Sequence, residues 1–287
     1  QVESVVNHTL EHYLNENQSL GNILANRIIL SAQARIASRQ AKDAVQRKTN
    51  ISHRLNLPGK LSDCATTDKD QAELFICEGD SAGGSSKQAR DRKTQAILPI
   101  RGKILNVETA TLAKALANTE IQNLISACGT GIGPKFDYSK LRYGKVIIMT
   151  DADVDGAHIC TLLLTFFYKY LPEIIENGHL FIAQPPLYRI DAGKKLFYAL
   201  SDEEKDKIIG DLNGSSYEIG RFKGLGEMPA SDLKETTMSK KSRSLIRVAL
   251  GSAEQASKTV CELMGKNAES RFKFIKEKAE FVQDLDV

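Results

Sequence analysis

A short apolar run followed by three closely spaced aspartates constrains this chain more than any other feature. Residues 146–150, with the sequence VIIMT, predict a buried strand, and Asp151, Asp153 and Asp155 follow at every second position. Carboxylates this close repel one another unless they are solvated or neutralised by a cation. Oxygen ligands at the end of a buried strand favour Mg²⁺, and Mg²⁺ held by carboxylates is typical of phosphate chemistry.

The aspartate run has two other interpretations. An EF-hand loop also begins D-x-D-x-D-G, but its twelfth position must be a bidentate glutamate, and this chain has Leu162 there. An ordinary turn with solvated acids is compatible with the run taken alone, because Asp and Gly are common turn residues.

A second strand-like run that also ends in acid and glycine argues against the plain turn. Residues 73–84, ELFICEGDSAGG, place Glu78 directly after an apolar strand, and helix-compatible residues 85–92 follow. Two strand-to-helix turns that carry carboxylates fit one parallel sheet, in which sites form at the carboxyl ends of the strands. We therefore expect Glu78 to face Asp151 and Asp153 across a cleft.

The two runs together resemble the signature of the Toprim domain, a glutamate after one strand and D-x-D after a later one. Five segments are similar, in order, to motifs of the B subunits of bacterial type IIA topoisomerases: EGDSAGG at 78–84, PIRGKILN at 99–106, DADVDGAH at 151–158, QPPLY at 184–188 and RFKGLGEM at 221–228. The resemblance covers nearly the whole chain. It implies an α/β fold, the Toprim fold, which is a Rossmann-like parallel sheet flanked by helices. Val107, Glu108 and Val154 favour the supercoiling branch of this family over topoisomerase IV.

The resemblance implies a metal site on the acidic motifs. It places Mg²⁺ on Glu78, Asp151 and Asp153, which are then the catalytic carboxylates, and we expect Mn²⁺ or Ca²⁺ to substitute. Asp155 is a further metal candidate, through water or a second ion.

The resemblance also implies contacts around that metal site. Lys103 and Asn106 match positions that contact DNA, and a lysine suits a phosphate while an amide suits a backbone or a base edge. His158 is a further candidate for phosphate contact, with a solvent-facing histidine near a helix start as the alternative. Asp80 and Arg101 match positions that border the quinolone inhibitor site.

The attacking nucleophile is implied to lie outside this chain. None of the eight tyrosines stands in a motif that marks it as attacking, and the resemblance places that tyrosine in a partner A subunit. The chain would then form the metal half of a composite site in an A2B2 heterotetramer, which cleaves double-stranded DNA through a phosphotyrosine link and reseals it. No Walker A motif is present, so we expect ATP to bind only elsewhere in a full-length protein. The alternatives are the B subunit of topoisomerase IV, an independent Toprim nuclease or primase, and a non-catalytic DNA-binding scaffold.

Composition favours a cytoplasmic globular protein. The net charge is +3, and the hydrophobic content of 41% is ordinary. Five cysteines without a C-x-x-C pair argue against a disulfide framework and indicate reduced thiols. No apolar stretch is long enough to span a membrane and no signal peptide is evident, so we expect no membrane partner. The chain begins at Gln1 inside a helical pattern, which we interpret as an excised fragment.

The sequence predicts three parts. Residues 1–63 form a helical arm and linker, residues 64–187 the Toprim metal-binding domain, and residues 188–287 an α+β C-terminal tail. Within them we expect a helix over Leu162–Ile175 and charged helices over 252–282. A basic stretch in the arm is either a phosphate contact or a solvated helix face; it consists of Arg27, Arg35, Arg39, Lys42, Arg47 and Lys48.

Overall fold

The computed structural model describes residues 2–19, 21–22, 24–29, 57–193, 195–212 and 216–279. The chain divides into two compact units, Gln1–Asn56 and Leu57–Val287. In the first unit, helix α1 spans Val2–Glu16, and further helical residues follow at 18–19, 21–22 and 24–29, as predicted for the arm. The predicted basic stretch lies outside the described residues from Arg35 onward.

The second unit alternates strands and helices before its tail. Its strands are β1 (Glu73–Glu78), β2 (Gln95–Ile100), β3 (Lys145–Met149), β4 (Leu180–Gln184), β5 (Tyr188–Ala192), β6 (Lys195–Ala199), β7 (Glu218–Arg221) and β8 (Ser244–Arg247). Its helices are α2 (Gly79–Ala89), α3 (Leu112–Ala117), α4 (Thr119–Cys128), α5 (Val154–Tyr170), α6 (Pro172–Glu176), α7 (Asp202–Asp211), α8 (Ala230–Leu233), α9 (Ala253–Met264) and α10 (Ala268–Lys278), with a π-helical turn at Lys234–Met238. The predicted α/β class is confirmed.

The central sheet is parallel except at one edge. Its strand order is β2-β1-β3-β4-β8, and only β8 runs antiparallel to its neighbour. The register pairs Cys77 with Met149, so Glu78 and the aspartates after Met149 leave the sheet at the same edge. A second sheet, of order β6-β5-β7, is antiparallel and belongs to the tail.

Side chains of the central sheet alternate between two apolar clusters, as the period of two in a strand requires. On β1, Leu74 and Ile76 join one cluster, whereas Phe75 and Cys77 join the other. The first cluster is covered mainly by α4, α5 and α6. The second includes four tail residues, which are Leu225, Met228, Leu233 and Met238. Burying each large apolar side chain contributes about 1.5–3 kcal/mol, so these four attach the tail firmly to one face of the sheet.

Two helices differ from their predicted bounds. Helix α2 begins at Gly79 rather than near residue 85. Gly79 has a φ of +73°, a left-handed conformation that glycine adopts without steric cost and that turns the chain from β1 into the helix. Helix α5 begins at Val154, eight positions before the predicted Leu162, and stops before Pro172, whose ring cannot continue a helix. The charged tail helices are present, although Gly265 separates α9 from α10.

The tail contributes directly to the central sheet. Strand β8 pairs with β4, so residues on both sides of position 187 share one sheet. The domain boundary at 187 stays a prediction. In the described parts of the chain, no helix combines the length and apolarity that crossing a membrane requires.

Candidate metal and nucleic-acid site

The three predicted catalytic carboxylates lie at the carboxyl edge of the parallel sheet. Glu78 ends β1, Asp151 follows β3, and Asp153 is the N-cap residue of α5. The Glu78 carboxylate accepts a hydrogen bond from the backbone N–H of Asp151 at 3.1 Å, which joins the two acidic loops. The carboxylate of Asp153 accepts from the Gly156 N–H at 2.7 Å, as expected at a helix N-cap.

Asp151 is held from the opposite side by the tail. Its Oδ1 accepts a hydrogen bond from the backbone N–H of Leu225 at 2.8 Å. Beside it, a Cβ added to Gly224 would lie 2.6 Å from Asp151 Oδ2, and one added to Gly226 would lie 2.8 Å from the Ser81 hydroxyl. The motif at 221–228 therefore forms a wall of the site. From the sequence this motif was recognised only by its resemblance to a family motif. Its two glycines nevertheless indicate that the backbone of this segment lies close to a neighbouring part of the chain.

The pKa values of two carboxylates of the site, Glu78 and Asp151, are raised. Burial is the main cause that raises the pKa of Glu78; the hydrogen bond from Asp151 opposes it, and the charges of Asp151, Asp153 and Asp155 add to it. Burial also raises the pKa of Asp151, with further contributions from Asp153 and from Glu227, against the hydrogen bond from Leu225. Glu227 is a neighbouring acid that sequence reasoning missed. A cation nearby would offset this concentration of negative charge.

The donor chemistry of the cluster suits a hard cation. In each of Glu78, Asp151 and Asp153, one carboxylate oxygen accepts a hydrogen bond from a backbone N–H. Within the described residues, no donor forms a hydrogen bond to the other oxygen. Carboxylate oxygens are the ligands that Mg²⁺ prefers. Across the same described residues, no three Asp, Glu, His or Cys side chains already stand in a metal-holding arrangement. Binding one ion through all three carboxylates would therefore need side-chain rotation.

Asp155 and Lys103 are paired with each other. Lys103 lies in the loop that follows β2, and its Nζ is 2.7 Å from Asp155 Oδ1, with both side chains largely exposed. The hydrogen bond and charge of Lys103 lower the pKa of Asp155. The loop thus places a predicted DNA-contacting cation next to the acidic loop of β3. The metal role of Asp155 stays a prediction.

The two residues predicted to border an inhibitor site also meet. Arg101 Nε lies 3.3 Å from Asp80 Oδ2 in an exposed ion pair. Asp80 is in the first turn of α2, and Arg101 directly follows β2, so both stand at the carboxyl edge.

The other predicted DNA contacts are placed differently. Asn106 donates from its amide to the Met264 carbonyl at 2.9 Å, while its oxygen accepts from the Glu108 N–H at 3.0 Å. A DNA contact by Asn106 would thus replace or share bonds that now connect the loop to α9. His158 is exposed in the first turns of α5, three positions after Asp155. Both DNA roles stay predictions.

Comparison with protein families agrees with this geometry. Residues 73–185 match the Toprim domain, and residues 214–276 match the family described as the DNA gyrase B subunit, carboxyl terminus. The chain therefore contains a Toprim domain. A parallel sheet with acidic residues at its carboxyl edge is the arrangement expected of this class of domain.

Individual relatives extend the likeness to the whole chain. The DNA gyrase B subunits of Thermotoga maritima and Thermus thermophilus are 50% identical over 286 residues and 52% identical over 290 residues. The DNA gyrase B subunit of Archaeoglobus fulgidus is 52% identical over 286 residues. Each alignment covers 100% of this chain and 45% of the relative. Over its whole length the chain is similar to DNA gyrase B subunits, as its motifs predicted, and it spans somewhat less than half the length of these relatives.

Proposed function

We propose that this chain is the metal-binding part of a type IIA DNA topoisomerase of the gyrase type, an enzyme that changes DNA supercoiling. The observation that carries the proposal is the placement of Glu78, Asp151 and Asp153 at the same carboxyl edge of a Toprim sheet. Since the chain spans only part of its relatives, its activity in a complete protein is inferred from this site.

The acidic residues are assigned to metal binding. Glu78, Asp151 and Asp153 would hold Mg²⁺, for which Mn²⁺ or Ca²⁺ can substitute, and Asp155 would contribute through water or a second ion. When bound, Mg²⁺ supplies Lewis-acid stabilisation of charge that develops on a phosphodiester. The chain's own contribution is to fix the ligands: Leu225 orients Asp151, and the α5 N-terminus orients Asp153.

The remaining residues of the edge are assigned to DNA. Lys103 and His158 are exposed beside the acids and suit phosphate oxygens, because a point charge or an imidazole contacts a backbone without reading its sequence. Asn106 would add an amide contact. Asp80 and Arg101 would border the site where quinolone inhibitors bind.

The nucleophile and the energy source are assigned to other parts of the assembly. The partner would be a gyrase A subunit in an A2B2 heterotetramer, whose tyrosine attacks double-stranded DNA and holds it as a phosphotyrosine link until resealing. ATP binding is assigned to a region outside these 287 residues, which contain no G-x-x-x-x-G-K-[ST] motif. We place the complete enzyme in the cytoplasm.

A DNA cleavage assay tests this function. The chain is mixed with supercoiled plasmid and Mg²⁺, with and without a gyrase A subunit, and covalent protein–DNA adducts are mapped. We expect cleavage only with the A subunit, an adduct on the A subunit, and loss of cleavage in Asp151→Ala and Asp153→Ala. Cleavage by the chain alone would instead support an independent Toprim nuclease, and undiminished cleavage by both variants would remove the metal assignment.

A second assay separates the two topoisomerase branches. The B subunit of topoisomerase IV is the alternative of the same class, and decatenation with a topoisomerase IV A subunit, without supercoiling with a gyrase A subunit, would favour it. The identities of about 50% to DNA gyrase B subunits favour supercoiling.

A further inference from the structure

A polar cavity lies at the amino edge of the sheet, at the other end of β1 from the acidic site. Its volume is about 570 Å³. The turn after α2, the start of β2 and tail residues between 234 and 240 line it. The six residues of β1 put about 17 Å between the two edges, so the cavity is separate from the metal site.

Cations outnumber carboxylates around this cavity. Arg90, Arg92, Lys234 and Lys240 line it, together with a single acid, Asp91. Both carboxylate oxygens of Asp91 accept hydrogen bonds within its own turn: one from the Lys93 N–H at 2.9 Å and the other from the Thr94 hydroxyl at 2.9 Å. Within the described residues, Arg92 and Lys234 form no ion pair. The cavity therefore carries uncompensated positive charge.

Arg90 adds a second and independent observation. Its Nη1 donates to three carbonyls, those of Ser62, Asp63 and Gln95, at 2.7–2.9 Å, so the guanidinium is fixed in place. Its Nε is buried and has no hydrogen-bond partner among the described residues. Burial, and then the like charge of Arg92, lower the pKa of Arg90. Arg90 is partly buried and lines the cavity, so its fixed positive charge adds to the surplus there, and an anion in the cavity would offset that charge.

Lys240 shares its nearest acid with Arg243. Its Nζ lies 3.8 Å from Glu73 Oε1. That carboxylate is already satisfied by both terminal nitrogens of Arg243, at 2.6 and 2.7 Å, and by the Gln95 amide at 3.1 Å. Lys240 consequently adds to the surplus charge.

We propose that this cavity is a second ligand site, which binds an anion through its phosphate group. Arginine and lysine are the side chains that best bind phosphate, and the volume lies within the range of small-ligand pockets. The phosphate belongs to a small molecule or to the DNA backbone. The proposal is independent of the metal assignment. The competing explanation is that these cations only offset the negative end of the α2 dipole.

Binding titrations with the whole chain test this site. Inorganic pyrophosphate is titrated by calorimetry, and a short DNA duplex by fluorescence anisotropy, at fixed salt. The test variant combines Arg92→Gln with Lys234→Gln, both at exposed positions, and equal melting temperatures show that it is folded. The controls are Lys234→Arg, which keeps the charge, and Lys114→Gln, which removes an exposed lysine from α3.

We expect saturable pyrophosphate binding that weakens about tenfold or more in the double variant and is unchanged in both controls. Unchanged DNA binding in the double variant would then identify a small phosphate ligand. A similar loss of DNA affinity without pyrophosphate binding would identify the DNA backbone as the source. If neither ligand binds saturably, or the double variant binds both like the wild type, the proposal is overturned and the cations are helix-end charges.

Discussion

Asp151 is fixed between two segments that are far apart in the chain. The backbone N–H that holds its carboxylate belongs to Leu225, 74 residues away, and Gly224 lies against the same carboxylate. Glu78 is held in a similar way, by the backbone N–H of Asp151. The proposed ligands are thus positioned by main-chain donors, and the second oxygen of each carboxylate accepts no hydrogen bond from the described residues.

A larger residue at position 224 should disturb this arrangement. In Gly224→Ala the new Cβ would lie 2.6 Å from Asp151 Oδ2, so the carboxylate has to move. We expect divalent-metal affinity to fall about tenfold, as when a residue that orients a ligand is lost. Overpacking should also reduce the free energy of unfolding by about 1–3 kcal/mol. Calorimetric Mn²⁺ titration and urea unfolding measure the two effects.

The matched control is Gly210→Ala in α7. A Cβ there meets nothing within 4 Å, and alanine is favoured over glycine in a helix by about 0.5–1 kcal/mol. This variant should be slightly more stable and bind metal normally. Normal metal binding by Gly224→Ala would show that the tail does not orient Asp151.

A buried ion pair connects β1 to the tail. Arg243 donates two hydrogen bonds to Glu73, at 2.6 and 2.7 Å, and the two side chains are only 6% and 2% exposed. Arg243→Ala would leave the Glu73 carboxylate buried and unpaired, so the free energy of unfolding at pH 7 should fall by about 3–5 kcal/mol. Lys273→Ala is the control; it removes an exposed pair with Glu277 and should have almost no effect.

The same pair makes stability depend on pH. Burial alone would raise the pKa of Glu73, but the hydrogen bonds from Arg243 and Gln95 outweigh it and hold the pKa below its usual range. A lowered folded-state pKa means that the contribution is fully present above the unfolded value of about 4.3 and is lost as pH falls through the folded value. The difference between wild type and Arg243→Ala should therefore shrink in urea titrations below about pH 4. A difference independent of pH would exclude Glu73 as the cause.

At the scale of elements, β8 closes the edge of the central sheet. Val248 donates to the Leu180 carbonyl, and the alternation of an antiparallel ladder puts Ile246 and Ile182 in another hydrogen-bonded pair. Without β8, the edge of β4 would present unpaired backbone groups, and exposed edges promote aggregation.

Proline in β8 tests this role. Ile246→Pro removes a ladder donor and should lower the melting temperature by at least about 4 °C and produce oligomers in size-exclusion chromatography. Ile246→Thr keeps the N–H and a β-branched side chain, and position 246 is 47% exposed, so this control should behave like the wild type. A monomeric proline variant with unchanged melting temperature would mean that β8 does not protect the edge.

The elements also show which parts of the fold the sequence could predict. The strands β1, β3 and β4 were predictable because strands buried on both faces are continuous apolar runs. The start of α2 was missed because EGDSAGG is rich in turn residues, and its helical onset depends on the left-handed Gly79. Strand β8 has only four residues of mixed polarity, and nothing local indicates that it pairs with a strand that ends sixty positions earlier.

In the site, too, only features with a local sequence pattern were predictable. Its carboxylates were predictable because acids at the ends of buried strands carry a recognisable pattern. The backbone N–H of Leu225 was not predictable, because every residue except proline carries such a donor and no residue type marks the one that is used. The pairing of Lys103 with Asp155 and the bonds of Asn106 depend on how a loop folds back, which spacing does not determine.

At the scale of the whole molecule, the tail completes the Toprim unit. It supplies the antiparallel edge strand, four residues of one apolar cluster and the donor that fixes Asp151. The acidic site is therefore a product of segments from both family matches, residues 73–185 and 214–276. In the proposed enzyme this composite unit presents metal to DNA, while the A subunit presents the tyrosine.

The most direct test of that account is a Mn²⁺ titration of the chain followed by electron paramagnetic resonance. We predict saturable binding that is lost in Glu78→Gln and in Asp151→Asn, because each variant removes one charged ligand, and that is retained in Asp211→Asn, which alters an exposed acid at the end of α7. Mg²⁺ should displace the bound Mn²⁺. Equal Mn²⁺ binding by the wild type and by both site variants would contradict the assignment of the metal to this edge of the sheet.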